Sequence, residues 1–553
     1  MLDKLRVAPD FQFTSPNADR DIRYIHRRID STDIYFVTNH QRRSEEIVAS
    51  FRVEGKLPEF WDAVTGDITP AIAYEAANGR VRVPIRLEPS GSVFVVFRGP
   101  ATNRALRSIA RDGQPVVTTV DFAATPSAPY REITNNFTIS VWVKPEIELS
   151  GAGGFGGGGF TQEATQGMAG ANASSFVIHP PEGDTLYGEG HSAVGFTAGR
   201  DGVVVYERAR NLFAPVLAAP QPMSGWNHVA LVYRDGEPSL YFNGKLGKTG
   251  KRTGRIVHPG LGSPDANVRF VHFEGDMTTP ALSAGPLGEE RIRHLAAAVP
   301  DPEAPAAVEA SPGAPGLLIW QNGEYLLRDT AGRSTPMRVS GLPDPVVVRG
   351  SWRVTFPPNL GAPAEVTLPQ LISLDQHTEP GVKYFSGTAA YHNTFTVPQG
   401  AMGGERHVFL DLGRVEVLAE VLVNGRNLGA LWKPPYLVDA SDALRAGDNT
   451  LEVRVTNLWP NRLIGDEQLP EEYAFGPANP PAGGGGGGNA ANAIREIPKW
   501  FVEGKPKPPG SRITFTTWRH WRKDSALLAS GLLGPVQLRF AVRRPLVAGR
   551  SEA

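Results

Sequence analysis

Thr450-Leu451-Glu452-Val453-Arg454-Val455-Thr456 alternates polar and apolar side chains without a fault. A period of two is that of a strand with one buried and one solvated face. Upstream, Val415-Glu416-Val417-Leu418-Ala419-Glu420-Val421-Leu422-Val423 runs into Asn424-Gly425, the residue pair that best makes a tight hairpin between right-twisted strands. Downstream, Val536-Gln537-Leu538-Arg539-Phe540-Ala541-Val542 alternates again and is expected to close the same sheet. These stretches predict a β-sandwich over 384–545.

The same pattern extends to the rest of the chain. Asp33-Ile34-Tyr35-Phe36-Val37-Thr38, Val81 to Leu87 and Ser92 to Phe97 read as strands of a small sandwich over 1–100, with Asn78-Gly79 as a hairpin turn. Pro84 predicts an edge strand there. A second module spans 115–299, with Phe137 to Val143, Asn227 to Tyr233 and the Leu240 to Leu246 hairpin around Asn243-Gly244. Gly288 to Leu295 predicts one short helix. The glycine tracts at 151–159 and 483–488 predict flexible loops. The first is not a phosphate-binding loop, because no Lys-Ser/Thr pair follows it. Ala, Pro and Glu over 300–315 predict a linker. A β-rich connecting module is expected over 316–383, with a hairpin at Asn322-Gly323 and a strand at Trp352 to Phe356. Helical periodicity is almost absent. The fold class is therefore all-β, with several sandwich or jelly-roll modules in series.

Composition narrows the partners. The 553 residues suit three or four domains. With 56 basic and 57 acidic residues the net charge is −1, so no global field draws in nucleic acid or an anionic membrane. A neutral, polar ligand fits that balance better. The count of cysteines is zero, which excludes disulfides and thiolate metal sites. No apolar run approaches membrane-spanning length, and Met1 to Asp10 has no leader-like apolar core. Arg23-Tyr24-Ile25-His26-Arg27-Arg28 reads as the middle of something, so preceding sequence is expected.

Three regions resemble known families. Trp142, Trp226-Asn227-His228-Val229-Ala230 and Tyr241-Phe242-Asn243-Gly244 resemble a laminin-G-like, concanavalin-like jelly roll. Tyr384 to Tyr391, Leu410-Asp411-Leu412-Gly413, Val423-Asn424-Gly425, Leu431 to Tyr436 and Leu451 to Asn457 resemble the galactose-binding-like, sugar-binding sandwich of glycoside hydrolase family 2. Asn457 to Glu467, Thr516 to Trp521 and Ser530 to Val536 resemble the C-terminal part of the α-L-rhamnosidases of glycoside hydrolase family 106. The opening segment, with Ile25 to Arg28, Asp33 to Val37 and Phe60 to Gly66, resembles the β-module after their barrel. In that family the catalytic glutamate pair sits in an N-terminal barrel, which has no counterpart here. The resemblance therefore implies no catalytic residue in this chain. It implies a poly- or oligosaccharide partner that contains rhamnose, a catalytic barrel as domain or subunit, and a periplasmic or extracellular location.

Carbohydrate recognition needs flat aromatic faces for the apolar side of a sugar ring and polar side chains for its hydroxyls. Asn457, Trp459, Asn461 and Arg462 supply both within six residues, and Trp518, His520 and Trp521 supply them again. Trp432 and Tyr436 flank Lys433-Pro434-Pro435 in a loop, where function concentrates. Each of these aromatics also has a packing reading, in which it is core or caps a rigid turn. If 518–521 is a strand, its two tryptophans point to opposite faces. Trp142, Trp226 and Trp352 sit in alternating strands and read as core, with His228 in a structural role beside Trp226. Asp466, Glu467, Glu471 and Glu472 read as a solvated acidic patch. Calcium is the one ion they suggest, although the regular spacing of a calcium loop is missing. No metal ligand set or other cofactor is named by the sequence. Three functions stay open at this point: an accessory glycan-binding portion of a glycosidase, an active glycosidase within a longer or split chain, and a non-catalytic interaction or adhesion module.

Overall fold

The computed structural model describes residues 8–15, 20–40, 44–88, 90–101, 105–121, 132–149, 175–260, 273–278, 280–297, 306–311, 316–403, 405–476 and 492–546. Both glycine tracts lie outside them. Two compact units divide the chain: one comprises 1–317, 323–338 and 545–553, the other 318–322 and 339–544.

The first unit opens with a sandwich. Thr32–Asn39 buries Asp33, Tyr35, Val37 and Asn39, and Arg80–Leu87 buries Val81, Val83, Ile85 and Leu87, each at a period of two. Those faces meet in one core with Phe51, Val95 and Phe97. Burying an apolar side chain of this size contributes about 1.5–3 kcal/mol, so the alternation decides which face turns inward. Strand Arg80–Leu87 is internal only in part. Its neighbour Glu75–Ala77 reaches no further than Arg82, so Pro84 stands where that side is an edge. Asn78-Gly79 makes the two-residue turn between these strands, both residues at positive φ.

A four-stranded sheet joins Leu106–Arg111 and Gln114–Thr118 to Gly323–Asp329 and Ser334–Val339, residues from either side of the middle sandwich. The Asn322-Gly323 hairpin expectation fails here. Gly316–Ile319 and Gly323–Asp329 enter different sheets, and the Asn322 side chain instead clamps the backbone of Leu342.

In the middle sandwich Phe137–Pro145 is the central strand, buried on both faces except at Lys144. It pairs with Asn227–Arg234 on one side and with Gly275–Met277 and Ala281–Ser283 on the other. The opposing sheet holds Phe176–Ile178, His191–Gly199, Gly202–Ala209 and Leu212–Pro220, with Ile256–Pro259 parallel to the second. The short helix Glu289–Leu295 carries acids in its first turn and bases in its last, matching its dipole, and lays Ile292 on Ala230, Val232 and Tyr241. His228 packs edge-on against Trp142, with ring centroids 5.3 Å apart, and burial pushes its pKa down to about 4. Trp226 is not core. It precedes the strand, is half-buried, and lies 5.9 Å from the Lys144 ammonium.

The second unit is a further sandwich. One sheet runs Glu365–Leu368, Trp352–Thr355, Thr388–Val397, Gly447–Thr456, Leu418–Val423, Arg426–Leu431. The other is built on Gln537–Pro545, Arg406–Asp411 and Leu437–Asp439, with Val346–Val347 on its flank. The stretch expected to close the first sheet is thus the centre of the second, because Leu538 and Phe540 face inward from the opposite side. Trp352, Tyr391, Val421, Val453, Leu410 and Leu538 are all buried. Asn424-Gly425 takes positive φ at both residues, as the turn between Val423 and Arg426 demands. Among the described residues no helix is long and apolar enough to cross a membrane.

Candidate functional site

The strand Gly447–Thr456 ends in a fixed exit. Asn457 is buried; its amide donates to the Phe385 carbonyl at 2.9 Å and accepts from the Gly387 N–H at 2.8 Å. The Ser386 hydroxyl donates to the Leu458 carbonyl at 2.8 Å and accepts from the Arg462 N–H at 3.2 Å. With the backbone held on both sides, Leu458 and Trp459 turn outward, and Trp459 is 65% exposed. The helix Pro460–Asp466 follows at once. Proline at its first position is preorganised for the turn and gives up an N–H that would have had no partner.

That helix buries Asn461, Arg462, Ile464, Gly465 and Asp466. Asn461 acts as a backbone mimic, donating to the Leu528 carbonyl at 2.7 Å and accepting its N–H at 2.8 Å. Gly465 packs so closely that a Cβ would come within 2.5 Å of the Tyr384 Cβ. Arg462 and Asp466 form a nearly sealed ion pair at 3.0 Å, and the second Asp466 oxygen accepts from the Thr514 N–H and hydroxyl. Of the four polar and aromatic residues grouped here by sequence, only Trp459 faces solvent. Asn457, Asn461 and Arg462 hold the loop that presents it.

Trp432 and Tyr436 divide in the same way. Trp432, directly after the strand Arg426–Leu431, is 53% exposed. Tyr436 is buried; its hydroxyl donates to the Val417 carbonyl at 2.6 Å, and burial, helped by the Glu416 charge, pushes its pKa up to about 12. The sheet register brings the two tryptophans to one end. Ala419 stands opposite both Leu431 and Val455, and Leu418 stands opposite Thr456. Trp432 and Trp459 therefore follow the ends of the two strands that flank Leu418–Val423, and Leu418 and Leu458 are exposed as well. Sequence reading missed both leucines. The signal was the unbroken pair Leu458-Trp459 after a strand, where an outward apolar residue has no core to fill.

The residues from Glu467 to Leu528 follow a different plan. Thr516 to Trp521 is not a strand, so the opposite-faces argument for Trp518 and Trp521 does not apply; Trp518 makes one isolated bridge, to Ala493. His520 is exposed, and Trp521 is half-buried beside a cavity of about 30 Å³. At ~10–15 Å³ for each water held, that is room for about two water molecules and not for a sugar ring. Of the four acids read as a solvated patch, only Glu471 is exposed. Asp466 is sealed against Arg462; Glu467 takes Arg512 at 2.6 Å and Arg519 at 3.3 Å; Glu471 takes Arg519; and Glu472 takes Lys507 at 2.8 Å. Desolvation pushes the Glu472 carboxyl up, but the bonds from Lys507 and the Arg512 N–H outweigh it, and its pKa is lowered. The Arg519 guanidinium lies 4.5 Å from the Phe475 ring centroid, and Tyr473, Trp500, Phe501 and Phe515 form an edge-to-face cluster. Each of the four carboxylates thus faces a cation. Among the described residues no group of three His, Asp or Glu is arranged to hold a metal ion.

Residues 1–76 match the alpha-L-rhamnosidase family, glycoside hydrolase family 106. Over 560 residues the chain is 29% identical to a protein of Formosa agariphila named putative beta-glucuronidase, covering 97% of this chain and 44% of that one. The chain thus spans less than half the length of that curated relative. Among solved structures it is similar to a rhamnosidase from Novosphingobium sp. PP1Y, with 23% identity, a TM-score of 0.44, and coverage of 98% of this chain and 26% of that one. It is also similar to Ruminococcus gnavus beta-glucuronidase over 22% of each chain, with 23% identity and a TM-score of 0.19. The family match covers the opening segment, one of the stretches with a family 106 resemblance, and does not extend to Asn457 to Val536. The family model thus matches only the first 76 of the 553 residues, while the alignment with the curated relative runs along nearly the whole chain.

Proposed function

We propose that this chain is an accessory, carbohydrate-binding portion of an α-L-rhamnosidase-like glycoside hydrolase that acts on rhamnose-containing glycans. In this reading 384–545 is a galactose-binding-like sandwich, 115–299 is a laminin-G-like jelly roll that widens binding, and the catalytic pair belongs to a barrel outside these residues. The observation that carries it is the pair of half-exposed tryptophans, Trp432 and Trp459, at one sheet end, each on a loop anchored by buried polar bonds. Rigid, solvent-facing aromatic rings are what the apolar face of a sugar ring stacks on. Retention on immobilised rhamnose-rich pectin is the test. Trp432→Ala and Trp459→Ala should each weaken it about tenfold, or ~1.4 kcal/mol, while leaving the melting temperature in place. Unchanged retention in both would remove the role assigned to them.

One observation favours a second reading of the same end. Leu418, Leu458 and Leu528 are exposed as well, and leucines suit a protein surface better than a sugar. Under that reading this end braces the catalytic barrel. Leu418→Ser with Leu458→Ser would then reduce association with the barrel and leave glycan retention untouched.

A further inference from the structure

The outer face of the six-stranded sheet in the second unit holds a groove of about 590 Å³, within the ~300–1,000 Å³ common to ligand sites. Its floor is set by register. Thr367 stands opposite Arg353, Arg353 opposite His392, His392 opposite Glu452, and Glu452 opposite Leu422. A second row sets Thr394 opposite Thr450. The first row crosses five strands, about 19 Å at ~4.8 Å per strand spacing. The groove is therefore long, shallow and transverse to the strands.

Its chemistry selects a ligand class. Arg353 is bonded to Glu365 at 3.0 Å, and Arg454 to Glu452 at 2.6 Å and Glu420 at 3.0 Å. Two arginines against three glutamates leave no surplus positive charge for a uronate or a phosphate. Leu422 and Leu451 are the large apolar residues in the lining, and Leu451 is buried in the core beneath, so an apolar ligand or a protein helix has little to bury there. What remains are donors and acceptors: the exposed hydroxyls of Thr367, Thr394 and Thr450, the ion-paired groups with lone pairs and N–H to spare, and His392. His392 has Nε2 3.3 Å from the Thr355 hydroxyl and Nδ1 4.0 Å from Glu452. Burial, then the Arg353 charge, lowers its pKa, so at neutral pH it can donate at one nitrogen and accept at the other.

We propose that this groove is a binding site for a neutral oligosaccharide lying across the strands, over Arg353, His392 and Glu452. Charge-assisted hydrogen bonds to hydroxyls carry the recognition in place of ring stacking. The inference rests on the carbohydrate reading above for its ligand class, not for its residues. Leu422 and Glu452 lie four residues along the strands from Leu418 and Thr456, about 13 Å from the tryptophan end.

The experiment is a titration of the full chain with neutral galacto- and rhamno-oligosaccharides of three or four units, and with oligogalacturonate of the same length. Thr394→Trp fills the groove from an exposed position, Arg353→Ala removes its central donor, and thermal melts confirm that both variants fold. The expected result, in a background that already carries Trp432→Ala and Trp459→Ala so that the sheet end contributes nothing, is binding of a neutral oligosaccharide that Thr394→Trp abolishes and Arg353→Ala weakens about tenfold. Binding that survives Thr394→Trp but is lost with the tryptophans overturns the groove and leaves the proposed function intact. Preference for oligogalacturonate overturns the neutral class. Absence of binding to any neutral probe overturns the proposal.

Discussion

In the middle sandwich the buried acid is met by hydroxyls, whereas in the terminal sandwich it is met by an arginine. Glu207 accepts from Tyr233 at 3.1 Å, Ser192 at 3.0 Å and Thr253 at 2.7 Å, and burial raises its pKa above the ordinary carboxylate value. Asp466 faces Arg462 and Thr514 instead. The aromatics divide likewise. Trp142 and Tyr206 are sealed in the middle sandwich, while Trp432 and Trp459 are turned out from the terminal one. Both modules obey the same strand periodicity, so that code does not decide where function sits. Unusual residues inside a sealed module serve its stability. Unusual residues that anchor an outward loop serve what the loop presents.

Removing either buried acid tests that contrast at its strongest. Asp466→Ala leaves Arg462 sealed without a counter-charge and should destabilise the second unit by about 3–5 kcal/mol in urea titrations. A loss under ~1 kcal/mol would mean that the pair is solvated. Replacing both partners by apolar residues should recover most of the loss. Glu207→Val strands three hydroxyls and should lower the stability of the first unit by ~3 kcal/mol, with Glu207→Gln nearer 1. The pH dependence has a definite sign. Because the folded state holds the Glu207 proton more tightly than the unfolded chain does, stability should fall as pH rises from about 4.5 towards the raised folded value. Glu207→Gln should lack that part of the fall. A parallel pH profile in the variant would assign the slope to other groups.

The strands were legible because burial on one face writes a period of two into the sequence. Thr450 to Thr456, Val81 to Leu87 and three of the four Asn-Gly turns appear where they were expected. Sheet membership was not legible. Val536 to Val542 alternates equally well for either face of a sandwich, so only tertiary pairing places it opposite Thr450 to Thr456. At the candidate site, residue type was visible but direction was not. Asn457, Asn461 and Arg462 carry the donors and acceptors that suit a sugar, and the same groups suit a buried backbone. The acids from Glu467 to Glu472 were misread because their cations, Lys507, Arg512 and Arg519, lie some forty residues on in a segment without periodicity. The groove over Arg353, His392 and Glu452 was invisible for a related reason: its residues are ordinary outward positions on separate strands until the register aligns them.

The smallest stability effects carry the sharpest functional test. Tyr436→Phe removes one buried hydrogen bond to Val417 and should lower stability by ~1 kcal/mol, measured by thermal unfolding. Its effect on glycan retention should come only through the loop that ends at Trp432. Trp459→Ala should change stability by no more than about 0.5 kcal/mol, since the ring is 65% exposed and the backbone before and after it is held at Leu458 and Arg462 by Ser386. A loss of ~3 kcal/mol or more, the size typical of a core tryptophan, would show that Trp459 packs in solution. The contrast between the sealed and the presenting sandwich would then fall. A variant as stable as the parent that no longer holds glycan would place the function of the second unit at the end of its sheet, carried by a residue that the fold itself does not need.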